Sequence, residues 1–182
     1  LSHGVRSGIL EAINQAQADD SRAILILCEG RTFVAGADIS EFGKPIREPS
    51  LPQVNAAIEA SNKPVIAAIH GTALGGGFEL TLSCHYRCAL PSAFVGLPEV
   101  TLGLLPGAGG TQRVPRLIGI KAALDLMTSG EKVPAQRARE LGLIDRVLEG
   151  NLREGALNYA RDCLAGGLGV RRIRDMDIPV DS

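Results

Sequence analysis

The chain has 182 residues, 45% of them hydrophobic and 21% charged, which suits one soluble domain with a real core. A formal net charge of -1 and 3% aromatic residues leave no broad case for nucleic acid or an acidic membrane as partner. No apolar run reaches the length of a membrane span and no signal peptide opens the chain.

Taken in order, Val5 to Ala18 carries apolar residues at helical spacing, and Ala23 to Cys28 is a short apolar run that predicts a buried strand. The stretch EGRTFVAGADISEF follows as a loop, with Asp38 or Ser40 as candidate helix caps. Lys44 to Pro52 holds three prolines and reads as a mobile loop. Leu51 to Ala60 has helical character, and Pro64 to Ile69 reads as a second buried strand. Gly75-Gly76-Gly77 opens a helix through Leu82. Tyr86–Leu90 and Ala93–Gly96 are strand candidates. LLPGAGGTQRVPRLIG is a glycine-rich turn into a helix; Lys121–Thr128, Pro134–Leu141 and Leu152–Ala165 are three more helices, with a short closing strand inside LGLIDRVL. Strands alternating with helices predict an α/β fold. The tail from Gly169 loses its apolar period, so the organisation expected is one domain over 1–165 and the start of a linker over 166–182. Leu1 in place of methionine, and an opening almost inside a helix, read as a piece of a longer chain.

The familiar chemical motifs are missing. There is no P-loop, and Gly107-Ala108-Gly109 starts a G-x-G-x-x-G match that fails at Gln112. There is no nucleophile elbow. Cys84, His85 and Cys88 lack the second ligand pair that a zinc site needs, so the four cysteines read as reduced, buried thiols. Two carboxylates stand out, Glu79 after the triple glycine and Glu99 in FVGLPEVTLGLLPGAGG. A carboxyl in apolar surroundings resists ionisation, which poises it for proton transfer near neutral pH. A solvated surface carboxylate or an ion-pair partner is the plain alternative for each. The glycines open a helix whose N–H groups could polarise a carbonyl oxygen, with a strand-to-helix turn as the plain alternative.

In order, TFVAGADISEF, NKPVIAAIHGTALGGGFELTLSCHYRCA, FVGLPEVTLGLLPGAGGTQRVPRLIG and AALDLMTSG resemble the enoyl-CoA hydratase/isomerase (crotonase) superfamily, over about residues 5 to 165. CHYRCA and the RRIRDMDIP tail resemble the hydratase part of the bifunctional enoyl-CoA hydratase/3-hydroxyacyl-CoA dehydrogenases. The resemblance implies a spiral of ββα repeats, truncated at both ends relative to that family. It implies a 2-enoyl-CoA thioester whose oxygen is held by the N–H groups of Ala37 and Gly76. Glu79 and Glu99 match the two catalytic glutamates, Glu79 toward water and Glu99 toward the Cα proton. Gly107 matches a glycine beside the reacting water, and coenzyme A is expected along Ala35, Gly36, Ala37, Asp38 and Ile39.

Further expectations follow from the same resemblance. The reaction is hydration of 2-trans-enoyl-CoA in fatty-acid β-oxidation, with Δ3,Δ2-enoyl-CoA isomerisation, or an acyl-CoA-binding scaffold without turnover, as alternatives. No cofactor beyond the substrate's coenzyme A is expected, no metal, and NAD only in a fused dehydrogenase region. Location would be cytoplasmic in a bacterium and peroxisomal in a eukaryote. Ser40 stands where many members carry lysine, which puts one phosphate contact in question.

Overall fold

The computed structural model describes residues 1–38, 41, 43–45 and 47–179. Ile39 and Ser40 lie outside the described residues, so the expectations placed on them have no structural counterpart here.

Helix α1 (His3–Ala18) begins two residues before the apolar period does, because Ser2 caps it. Strand β1 (Ile24–Ile26) pairs in parallel with β2 (Val65–Ile69), which pairs with β4 (Tyr86–Ala89), which pairs with β7 (Arg146–Val147). A second sheet joins β3 (Thr72–Leu74), β5 (Phe94–Gly96) and β6 (Val133–Pro134), and Val34 bridges to Ala73 at its edge. β6 runs antiparallel to β5 and connects through a helix to β7, but before it the chain twice lays one strand in the first sheet (β2, β4) and the next in the second (β3, β5), then continues through a helix. That is the predicted spiral of ββα turns.

Strand β2 is wholly buried because it is packed on both faces. Successive side chains alternate sides. Val65, Ala67 and Ile69 face a cluster with Phe78, Leu80, Val54 and Ile58. Ile66 and Ala68 face a smaller one with Tyr86, Tyr159 and Cys163, under α7 (Leu152–Ala165).

Helix α2 (Leu51–Ala60) starts where the sequence predicts, fixed by a capping box between Ser50 and Gln53 and by Pro52 in its first turn. The preceding proline-rich segment reads as mobile in the sequence. In its described part, Arg6 Nε donates to the Pro49 carbonyl (2.8 Å) and Arg6 Nη2 to the Arg47 carbonyl (3.2 Å), and just before it Arg6 Nη1 donates to Glu41 Oε2 (2.9 Å).

Among the described residues, four elements have no counterpart in the sequence reading: β3, β6 and 3-10 turns over Pro98–Leu102 and Ile173–Asp175. Each is too short to show a period. Helices α4 (Gly110–Ile118), α5 (Ile120–Ser129) and α6 (Ala135–Leu141) stand close to their expected spans.

The tail differs from its reading as the start of a linker. Ile173 is buried in the main core, Tyr86 donates its hydroxyl to the Gly169 carbonyl (2.8 Å), and Arg172 Nε reaches the Glu59 carbonyl (2.6 Å). Polar docking of this kind leaves no apolar period to read.

Of the four cysteines expected to be buried, Cys84, Cys88 and Cys163 are, while Cys28 is only half-buried. Cys84 Sγ donates to Leu80 O and Cys88 Sγ to Ala67 O, while His85 Nδ1 accepts from Val65 N–H (2.9 Å). The three groups serve separate main-chain partners, and burial pushes both thiols up to about 12.

Candidate active site

The triple glycine is needed three times over, each time by a different neighbour. Gly75 has φ +53, and a Cβ there would meet Glu99 Oε1 at 3.1 Å. A Cβ on Gly76 would lie 2.9 Å from Leu51 Cδ2 and 3.9 Å from the Ala37 nitrogen. A Cβ on Gly77 would run into the Val34 carbonyl and side chain. Only bare backbone lets α3 (Gly76–Ser83) start this close to the segment 34–37.

That approach brings the two expected oxyanion donors together. Among the described residues, neither the Ala37 nor the Gly76 N–H donates to a protein acceptor. Gly76 is the first residue of α3, where N–H groups have no intrahelical partner and the helix end is positive.

One turn into α3, Glu79 is buried, only 2% exposed. Its Oε1 accepts from the Ala108 N–H (2.7 Å) and the Gly110 N–H (2.8 Å). Its pKa is raised, chiefly by desolvation; the Gly110 and Ala108 hydrogen bonds and the Arg113 charge work against that shift. Glu99 sits on the 3-10 turn over Gly75, with Oε2 buried and without a hydrogen-bond partner among the described residues. Desolvation raises its pKa too, its own N–H lowers it, and the Glu79 charge raises it further. The Glu79 charge thus bears on Glu99, while the causes that shift Glu79 are its burial, its two N–H partners and Arg113.

Gly107 is exposed, with open space where a side chain would be. The N–H groups on Glu79 come from Ala108 and Gly110 rather than from Gly107 itself. Ala35, Gly36 and Asp38 lie beside Ala37 on the outer segment. Ala37 lines two clefts: one of about 460 Å³ with Asp38, Lys44 and Leu51, another of about 500 Å³ with Phe33, Ala35 and Gly36. Neither cleft has Glu79 or Glu99 in its lining; Glu79 is buried and Glu99 half-buried.

Sequence reasoning missed Asn55 and Arg113, which bind the Ala108 carbonyl, and Glu59, which binds Arg113. Their only signal was three polar residues on otherwise apolar helix faces.

Gly77→Ala should test the close approach. Forcing a methyl against the Val34 backbone should cost about 1–3 kcal/mol, read from denaturant midpoints. It should also lower turnover about tenfold or more, since a shift of Val34 drags Ala37 away from Gly76. Unchanged stability and rate would mean the approach is looser than described.

Comparison with known proteins agrees with this architecture. The profile of the family described as Enoyl-CoA hydratase/isomerase matches residues 1–170. The chain is 51% identical over 180 residues to the peroxisomal bifunctional enzyme of Danio rerio, covering 98% of this chain and 25% of that protein. It is 45% identical over 152 residues to a probable enoyl-CoA hydratase of Bacillus subtilis (strain 168), covering 79% and 59%. The crystal structure of an enoyl-CoA hydratase from Bacillus anthracis superposes with a TM-score of 0.82 at 37% identity, covering 91% of this chain and 67% of that one. The chain thus spans about a quarter of the length of the bifunctional relatives it matches. Matched along nearly all its length in both sequence and fold, the chain belongs to the enoyl-CoA hydratase/isomerase family.

Proposed function

We propose that the chain hydrates 2-trans-enoyl-CoA thioesters to 3-hydroxyacyl-CoA, as the hydratase part of a longer β-oxidation enzyme. The observation that carries the reading is the pairing of a buried carboxyl, Glu79, and a half-buried one, Glu99, whose Oε2 is enclosed, with two free N–H groups at one glycine-built corner.

The thioester oxygen accepts from Ala37 and Gly76. Negative charge grows there as water adds, so the donors act most strongly in the transition state. Each such donor is worth about 3–4 kcal/mol. Glu79 suits the base: two N–H bonds to Oε1 favour its ionised form. Glu99 suits the acid: an unpartnered buried oxygen favours the protonated form.

Glu79 takes one proton from water as the oxygen bonds to Cβ. The C=C electrons move toward the thioester, and Glu99 delivers a proton to Cα. The sum is one water added, and a proton passing from Glu79 to Glu99 restores the pair. The N–H donors do the polarising, so the reading needs no cofactor beyond the coenzyme A of the substrate. The 35–38 backbone would carry that coenzyme A, and the cleft beside Lys44 and Leu51 the acyl chain.

A fused dehydrogenase acting on the 3-hydroxyacyl product fits the resemblance and the small share of the bifunctional relatives that this chain spans. Those relatives' name favours the peroxisome for a eukaryotic source. The test is product analysis. Crotonyl-CoA should lose its conjugated absorbance and yield 3-hydroxybutyryl-CoA. Faster consumption of a 3-enoyl-CoA than of the 2-enoyl isomer would replace hydration by isomerisation as the main activity. Tight thioester binding without either reaction would leave a scaffold.

A further inference from the structure

Glu79 is held by a loop that is itself gripped from behind. Ala108 gives its N–H to Glu79, while its carbonyl accepts from Asn55 Nδ2 (3.0 Å) and Arg113 Nη1 (2.9 Å). Both main-chain polar groups of this one residue are thereby fixed. Arg113 Nε in turn donates to Glu59 Oε1 (2.8 Å), and Glu59 Oε2 lies 3.6 Å from Arg174 Nη1. Gly109 makes the arrangement possible: its φ is +104, and a Cβ there would collide with the Arg113 guanidinium.

Leu51, Asn55 and Glu59 fall at i, i+4 and i+8, a single stripe of α2. The first touches Gly76 at the oxyanion end, the second holds Ala108, and the third holds Arg113. One rigid helix therefore spans both halves of the site.

We propose that Asn55, Glu59 and Arg113 are positioning residues: through α2 they hold the Ala108 and Gly110 N–H groups on Glu79 in register with the oxyanion donors. The rate effects of this proposal rest on the hydration reading; its effect on the Glu79 carboxyl rests on geometry alone.

Charged groups surround the Glu79 loop and the elements packed against it, and Arg113 is the one that acts on Glu79 itself. Arg113 projects from α4, Glu59 from α2 and Glu99 from the 3-10 turn. Arg87 from β4 binds the Thr81 carbonyl further along α3 (3.2 Å), and Arg172 and Arg174 bind Glu59. His85 beside Glu59 is kept neutral by burial, its pKa lowered to about 4. Removing Arg113 takes away a cation that lowers the Glu79 pKa. Loosening Ala108 takes away a hydrogen bond that does the same. Both changes move the Glu79 titration to higher pH.

Two variants test this. Asn55→Ala leaves every charge in place. The double change Glu59→Gln with Arg113→Met removes both members of the ion pair, so no buried charge is stranded. The Glu79 carboxyl is titrated by difference infrared spectroscopy, assigned against Glu79→Gln, with thermal unfolding and crotonyl-CoA kinetics alongside. The expected result is a Glu79 titration moved to higher pH in both variants. On the rate side, kcat should fall about tenfold for the first and about a hundredfold for the second, with KM within about threefold. An unchanged Glu79 titration and an unchanged kcat per folded molecule would overturn the proposal and leave the cluster as packing, even if unfolding temperatures fell. A wild-type chain that hydrates nothing would defeat the hydration reading, while the titration would still decide this one.

Discussion

Glu79→Gln should cut hydration of crotonyl-CoA by about 10²–10⁴-fold, the usual span for losing a positioned proton-transfer group. KM should change little, because in the proposed reading the backbone N–H groups of Ala37 and Gly76, and not Glu79, hold the thioester. The amide oxygen of glutamine can still accept from Ala108 and Gly110, so the pocket keeps its shape. The pH profile gives a second reading of the same residue. Because desolvation raises the Glu79 pKa, the acid limb of kcat/KM in the wild type should lie above the ordinary glutamate value of 4.5. Activity needs the ionised form and is lost as pH falls through that limb.

Stability moves the other way. A carboxyl whose folded pKa is raised binds its proton more tightly in the folded state. Its contribution is fully present below the unfolded value and is lost as pH rises through the raised one. Glutamine cannot ionise and carries no such loss. At pH 7 the variant should therefore unfold at a denaturant concentration no lower than the wild type. A Glu79→Gln protein that kept wild-type turnover would remove this residue from the chemistry. One that lost activity only by unfolding would leave the assignment without support from this variant.

Arg87→Met should cost about 3–5 kcal/mol of stability, as measured for other broken buried pairs. The guanidinium is fully buried. It donates to the carbonyls of Cys84 (2.8 Å), Thr81 (3.2 Å) and Leu143 (3.0 Å), and lies 3.6 Å from Asp145. Methionine fills much of the volume but takes the donor from the Cys84 and Leu143 carbonyls, and each orphan costs about 1–3 kcal/mol; the Thr81 carbonyl keeps the Cys84 N–H. Asp145 keeps Arg171 at 2.6 Å, which limits the electrostatic loss. A loss this size is a large share of a domain's usual margin. Urea midpoints for Arg87→Met, with Asp145→Asn beside it, provide the check. A loss below about 1 kcal/mol would mean the carbonyls find other partners. The consequence for function is indirect: Arg87 ties the end of α3 to the β4–β7 side of the sheet, and α3 carries both Gly76 and Glu79.

Much of the fold was legible because its signals are local. The apolar run at 65–69 is long enough to read as a buried strand, and the helical character of 51–60 marks α2. The strands at 72–74 and 133–134 were not legible, since two or three residues cannot show a period and their pairing partners lie elsewhere in the chain. The packed tail hid for another reason: it docks through arginines and one isoleucine rather than through an apolar face.

The sequence by itself determined the candidates. Glycines at 75 to 77, carboxyls at 79 and 99 in apolar company, and the family likeness could all be read without coordinates. Tertiary structure alone decided their relations. Ala37 and Gly76 are 39 positions apart in number, yet they meet because Gly76 and Gly77 lack the atoms that would keep the segments apart. Glu79 is oriented by Ala108 and Gly110, and these are held by Asn55 and Arg113. Hydrogen bonds and close contacts between distant segments depend on where the spiral returns the chain, and residue spacing carries no record of that. Desolvation, which sets the character of both carboxyls, is likewise a property of the packed whole.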